Sequence, residues 1–147
     1  MVSPQSSVLI LEDSDEDFDT CVEAARAVGL QTQLRRARTG EECIDLLCGK
    51  ERQGTAGPAL LLLDLNAPGV DGRDALVVVR QTPWLKVLPI VILSTSDDPR
   101  DVAHCYAHGA NAYHVKPVHH VRHLDVVREV LRYWLSLAVL PARTVAP

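Results

Sequence analysis

Four short stretches of this chain end in groups that could act on one another. Glu12 and Asp13 follow the aliphatic run Val8–Leu11, and Asp64 follows the leucines Leu60–Leu63. Ser94 and Thr95 close "PIVIL", and Lys116 closes "NAYHV". An aspartate at the end of a buried strand is costly unless its charge is used. Carboxylates brought close together resist ionisation unless a cation compensates them. An all-oxygen acidic cluster suits a hard divalent ion, Mg²⁺ above others, with several waters retained. A carboxylate beside such an ion can attack phosphorus and form an aspartyl phosphate. That chemistry is mostly positioning and charge neutralisation, which an ammonium such as Lys116 and a hydroxyl such as Ser94 can supply.

The elements between these groups say whether they meet. Five short aliphatic runs alternate with helical periods. Ser14 is placed to cap a helix that Gly29 ends, and Thr39-Gly-Glu-Glu42 has the form of a capping box. Asp71 opens a helix to about Arg80, and Asp98-Pro99 gives an N-cap followed by proline at the first helical position. Strands are expected at Val8–Leu11, about Thr32–Arg36, Leu60–Leu63, Val87–Leu93 and Asn111–Val115, with a last helix from His120 to about Leu137. Gly49–Pro58 reads as a loop within one core. This order predicts an α/β fold, a doubly wound five-stranded parallel sheet with helices on both faces. Runs without alternation, such as Leu60–Leu63, fit strands buried on both sides. In open sheets of this kind ligands sit beyond the carboxyl ends of the strands, where all four groups fall.

Composition narrows the classes further. The chain has 147 residues, 47% hydrophobic and 23% charged, which predicts one domain over 1–147 with a core of about 7–137 and a tail of 138–147. A net charge of −4 gives no general attraction to nucleic acid or anionic membranes, and no run is long enough to span a bilayer. The N-terminus lacks the form of a signal peptide, and four cysteines without CxxC spacing read as reduced thiols, so a cytoplasmic protein is expected.

The pieces "LILED", "LLLDLNAPGVDG", "PIVILSTSDD" and "ANAYHVKP", in that order, resemble the receiver family of two-component response regulators. The resemblance runs from Val8 to the last helix. It implies the flavodoxin-like sheet order 2-1-3-4-5 and a signalling domain, not an enzyme, beyond slow self-dephosphorylation. It makes Asp64 the phosphoacceptor for a histidine kinase. Glu12, Asp13, Asp64 and the backbone carbonyl of Asn66 would hold Mg²⁺ or Mn²⁺. Lys116 and Ser94 would bind the phosphoryl group, Ser94 and Tyr113 would form the switch, and a cis peptide would join Lys116 to Pro117. Val118 departs from the phenylalanine often found there, and Thr95 beside Ser94 leaves the switch hydroxyl open by one position.

After Lys116-Pro117 the sequence supplies one helix and a tail, with no helix-turn-helix or zinc module, so output through a protein contact is expected. Val121, Leu124, Val127 and Leu131 are expected to face the sheet. Tyr133, Trp134, Leu135 and Leu137 are apolar on more than one side, which suggests a homodimer through the fourth helix, fifth strand, fifth helix and tail. The tail and the long Gly49–Pro58 loop resemble single-domain receivers that serve phytochrome-type kinases. His104/His108 and His119/His123 have i, i+4 spacing that could bind zinc or, solvated, make association pH-sensitive. Arg35, Arg36 and Arg38 read as a solvated patch. Two other readings stand beside the receiver: a binding module that does not use phosphorylation, and a haloacid-dehalogenase-type phosphatase. The latter needs a second Asp where Asn66 stands, and amide cannot shuttle a proton.

Overall fold

The structure is a computed structural model that describes residues 7–30, 33–49, 54, 56–142, 145 and 147. The elements run β1 (Val8–Leu11), α1 (Asp15–Ala27), β2 (Leu34–Ala37), α2 (Gly40–Cys48), β3 (Leu60–Leu63), α3 (Gly72–Gln81), β4 (Ile90–Ser94), α4 (Pro99–Ala107), β5 (Ala112–Val115) and α5 (His120–Arg132). A 3₁₀ turn at Pro83–Leu85 and a π turn at Tyr133–Leu137 complete them. The expected strand start at Thr32, and residues 50–53 and 55 of the expected loop, lie outside the described residues.

The helices α1 to α4 begin where the sequence offers an oxygen to an unpaired N–H, whereas α5 starts after His119 without a side-chain cap. Ser14 Oγ accepts from Asp17 N at 3.2 Å, Asp71 Oδ1 from Arg73 N at 2.8 Å, and Asp98 Oδ1 from Arg100 N at 2.9 Å. Thr39 Oγ1 accepts from Glu42 N at 3.1 Å, while the Glu42 carboxylate reaches back to Arg38 N at 3.0 Å. The reciprocal box thus closes one residue earlier than its usual form.

All strand pairings are parallel, in the order β2-β1-β3-β4-β5. Successive residues of each strand serve opposite layers. Leu9, Leu11, Leu61, Leu63, Ile90 and Ile92 pack with Cys43, Leu47, Leu76 and Val79 from α2 and α3. Val8, Ile10, Leu60, Leu62, Val91 and Leu93 pack with Cys21, Ala24, Val127 and Leu131 from α1 and α5. Leu60–Leu63 are each exposed by 1% or less, so each leucine contributes about 1.5–3 kcal/mol of burial. At Gly72 a Cβ would stand 2.6 Å from Leu65 Cα, so the start of α3 can lie directly on the end of β3 only with glycine there.

Several boundaries differ from expectation. β4 starts at Ile90, because the 3₁₀ turn at Pro83–Leu85 occupies the preceding segment and Val87 is exposed. α5 turns His123, Val127, Val130 and Leu131 inward, not Val121, which is 67% exposed. The π turn then accommodates one extra residue per turn and rotates Leu135 into the chain's own core at 7% exposure, with Trp134 packed beside it. Of the four expected interface residues, only Tyr133 and Leu137 remain largely exposed. Downstream, Leu140 packs against the chain's own core and Val145 forms an isolated antiparallel bridge with Ala56.

Candidate functional site

Backbone pairing aligns the strand ends. Glu12 N donates to Ala37 O at 2.9 Å, Asp64 N to Leu11 O at 3.1 Å, and Lys116 N to Ser94 O at 2.7 Å. The residue following each strand therefore leaves the sheet at the same edge, where the order reverses between β1 and β3. Lys116 turns its side chain across that edge. Its Nζ donates to Glu12 Oε1 at 2.5 Å, to Asp17 Oδ2 at 2.9 Å and to Asp64 Oδ2 at 3.0 Å. Glu12, Asp64 and Lys116 are all buried, while Asp13 is exposed and keeps the cluster open to solvent.

The carboxylates are held from behind. Glu12 Oε2 accepts from Ser14 N at 3.2 Å, and Asp64 Oδ1 from Asn66 N at 3.1 Å. Arg36 Nε donates to Glu12 O at 2.9 Å, its guanidinium stacks over Phe18 at 4.7 Å, and Nη1 pairs with Asp15 at 2.8 Å. Arg36 is thus a brace for the β1–α1 loop with a side chain only 14% exposed, not a member of a solvated patch. Burial pushes the Glu12 carboxyl up to about 7; Lys116 pulls it down and Asp64 pushes it further up. Burial works against the Lys116 charge as well, but Asp64, Glu12 and Asp17 hold its ammonium above the ordinary range.

One oxygen each from Glu12, Asp13 and Asp64 lies within 4.8 Å of the others. The donors are all carboxylate oxygens, and the acids outnumber the single ammonium among them. The set fits a hard divalent cation. It is the only such group of three or more His, Cys, Asp or Glu found among the described residues. The histidine pairs do not form one. His104 and His108 stack at 4.1 Å, with His108 Nδ1 engaged on His104 O at 2.8 Å.

Beside this charged cluster stand the hydroxyls. Ser94 is fully buried and Thr95 exposed, which separates the two adjacent positions. Ser94 Oγ accepts from Ser96 N at 3.1 Å, and Tyr113 OH donates to Ser96 O at 2.8 Å. Neither the Ser94 hydroxyl nor Tyr113 is among the groups bonded to Lys116 Nζ. The Lys116–Pro117 bond is trans, against expectation. Only about 0.5–1 kcal/mol separates the isomers before proline, so the sequence alone does not choose.

Two residues of the site escape sequence reasoning. Asp17 serves the α1 cap through its N–H, yet its carboxylate is the third partner of Lys116. Its spacing from Asp13, one helical turn, was the available signal. His123 is buried, with Nδ1 3.9 Å from Asp17 Oδ1 and with Nε2 lacking a hydrogen-bond partner. Burial lowers its pKa.

Comparison with known proteins agrees with this geometry. The model of the response regulator receiver domain matches residues 8–128. Response regulator Rcp1 of Synechocystis sp. is 32% identical over 141 residues, covering 95% of this chain and 96% of the relative. A probable methanogenesis regulatory protein, FilR2 of Methanothrix harundinacea, is 30% identical, covering 88% and 83%. Among solved structures, the phosphorylated cyanobacterial phytochrome response regulator RcpA superposes with a TM-score of 0.86 at 31% identity, covering 94% of this chain and 99% of that one. The Mn²⁺-bound form of Rcp1 gives 0.82 at 32% identity, covering 93% and 99%. No helix among the described residues is long and apolar enough to cross a membrane. With the sheet order, the acidic strand-end cluster and the match over residues 8–128 in agreement, the chain belongs to the response regulator receiver domain family, a phosphorylation-based signalling family that binds divalent metal and partners histidine kinases.

Proposed function

We propose that this protein signals by accepting a phosphoryl group from a histidine kinase onto Asp64. One observation carries the reading: a buried lysine bonded to Asp64 and Glu12 beside an oxygen cluster that includes Asp13. A carboxylate oxygen of Asp64 forms the new bond to phosphorus as the bond from phosphorus to the donor breaks, and the donor leaves with the bonding electron pair. Glu12, Asp13, Asp64 and the backbone carbonyl of Asn66 would hold Mg²⁺, which supplies neutralisation of the phosphoryl charge when bound. Lys116 already faces Asp64 and moves its hydrogen bonds to the incoming oxygens. Ser94 and Tyr113 then shift together, and the surface of α4, β5 and α5 changes with them.

The whole chain, 1–147, acts as a single receiver in this reading, cytoplasmic and serving a phytochrome-type kinase; the similar RcpA is described as a phytochrome response regulator. Slow loss of the phosphoryl group to water returns it to rest. Its output is a homodimer contact through α4, β5, α5 and the exposed part of the π turn. Val115, Val121, Tyr133 and Leu137 are exposed on these elements, and Val118 on the turn between β5 and α5. A groove of about 620 Å³ lined by Ala112, His114, Val126, Tyr133 and Trp134 runs along the edge strand β5.

Intact-mass spectrometry after incubation with Mg²⁺ and acetyl phosphate tests the core of this. The expected result is one phosphoryl adduct in the wild type, dependent on Mg²⁺ and absent from Asp64→Asn. An adduct that persists in Asp64→Asn would move the acceptor elsewhere. Failure of both a small donor and a phytochrome-type kinase to label the wild type would leave the phosphorylation-independent binding module.

A further inference from the structure

The three acceptors around Lys116 are not equivalent. An ammonium has three N–H groups, and Glu12, Asp17 and Asp64 each accept from this one. Glu12 and Asp64 follow strands and belong, with Asp13, to the group of oxygens that fits a divalent cation. Their second oxygens are occupied as well, Glu12 Oε2 by Ser14 N and Asp64 Oδ1 by Asn66 N. Any oxygen of these two residues that a cation takes is one already in use. Asp17 lies outside that group. It sits in the first turn of α1, where Ser14 Oγ holds its N–H at 3.2 Å, and its Oδ2 accepts from Lys116 Nζ at 2.9 Å. On its other side stands His123 of α5, 5% exposed, with Nδ1 3.9 Å from Asp17 Oδ1. The carboxylate is thus confined between the lysine and a buried ring, and it is carried by a helix and not by a strand end.

We propose that Asp17 is the anchor of Lys116: its bond persists when a cation and a phosphoryl group enter, and it holds the ammonium beside Asp64 while the other N–H groups turn to phosphoryl oxygens. This rests on the phosphoacceptor reading and adds a positioning residue to that same site. The need for an anchor comes from the chemistry of lysine. An arginine fork fixes its own geometry, whereas an ammonium on a four-carbon stem has three rotatable donors and takes its direction from its acceptors. Two of the acceptors here also serve the cation, which leaves Asp17 to set that direction. Asp17 acts through Lys116 alone and touches neither the cation nor the phosphoryl group. An ion pair that served folding alone would leave the affinity for a phosphoryl mimic unchanged.

The test compares wild type with Asp17→Ala, Asp17→Ser and Asp17→Asn. Serine keeps a polar residue in the first turn but is too short to reach Nζ, and asparagine keeps an acceptor while removing the charge. Asp19→Ala is the control, an exposed carboxylate removed from the same helix. Beryllium fluoride, a mimic of the bound phosphoryl group, is titrated at saturating Mg²⁺, and Mg²⁺ is titrated separately without fluoride. Urea unfolding first establishes that each variant is folded, and the isosteric Asp17→Asn carries the test if the shorter side chains are not tolerated. Asp17→Ala and Asp17→Ser should bind beryllium fluoride about tenfold more weakly, the loss of one charge-assisted hydrogen bond. Asp17→Asn should fall between them and the wild type, and Asp19→Ala should match the wild type. Affinity for Mg²⁺ alone should change by less than the fluoride affinity does. Equal or tighter fluoride binding by the Asp17 variants overturns the anchor, since that is what a carboxylate opposing the incoming anion would give. Equal weakening in Asp17→Asn and Asp17→Ala assigns the effect to net charge and overturns it too. So does an equal fall in Mg²⁺ affinity, which would make Asp17 a determinant of the cation. All three are read in the variants, whereas a wild type that binds no beryllium fluoride at saturating Mg²⁺ overturns the phosphoacceptor reading itself.

Discussion

The two halves of the sheet's carboxyl edge are built on opposite electrostatic plans. Where β1 and β3 end, the carboxylates of Glu12, Asp13, Asp17 and Asp64 gather around the single ammonium of Lys116. Where β4 ends, Arg73 meets Asp101 in a closed fork, and the hydroxyls of Ser94, Ser96 and Tyr113 each have a partner. The first half is short of positive charge and is completed by a cation. The second is satisfied as it stands. The difference teaches that one edge can leave charge uncompensated at one place and compensate it fully a short distance away.

The largest way to break this comparison is to remove the ammonium. Lys116→Met leaves buried carboxylates facing one another and should destabilise the unliganded protein by about 3–5 kcal/mol in urea unfolding. Added Mg²⁺ should restore part of that loss, whereas Arg73→Ala should show no such recovery. Equal rescue of both variants by the cation would erase the distinction.

Next in size is the pH dependence. The folded-state pKa of Glu12 is raised from 4.5 to about 7, so the folded protein binds the extra proton between those values. Its contribution to stability is full below about 4.5 and is lost as pH rises through about 7, a change on the order of 1–3 kcal/mol. Asp101 has the opposite sign. Its hydrogen bonds from Arg73 and Ser96 hold its carboxyl below 3.8, so its contribution is full above 3.8 and is lost only as acid protonates the folded form. Urea unfolding from pH 4 to 8 should therefore show a neutral-range decline that Glu12→Gln removes and Asp101→Asn leaves in place. Saturating Mg²⁺ should flatten the same decline.

The smallest expected stability effect lies at the proposed dimer face. Leu137 is 69% exposed, so Leu137→Glu should change the stability of the isolated chain by no more than about 0.5 kcal/mol. Solution mass under phosphorylating conditions should nevertheless fall toward the monomer. Mass equal to the wild type's would take the π turn out of the contact.

Much of this molecule is legible in its sequence because the signals are local. Ser14, Thr39, Asp71 and Asp98 announce helix starts with their own side chains, and Leu60–Leu63 announces a strand buried on both faces. The clustering of Glu12, Asp13, Asp64 and Lys116 follows once the strands are taken as parallel. What stayed hidden is pairing between distant elements. No local period joins Asp17 to Lys116, or Arg73 to Asp101. The inward turn of Leu135 was hidden for a different reason, since a π turn changes the angular step on which a helical face is counted. Arg36 looked solvated because a stack on Phe18 and a bond to a loop carbonyl leave no trace in composition.

The sheet order also constrains how the chain can be made. β1 leaves the ribosome first but lies inside the sheet, between β2 and β3. Its second neighbour exists only after Leu63 has been synthesised, β4 can be laid down only against β3, and β5 only against β4. Every pairing spans a helix, so contact order is high, and a nascent chain carries an unpaired apolar strand for much of its synthesis. Chaperone demand should therefore be greatest for chains that end between β1 and β3, and should fall once β3 has emerged.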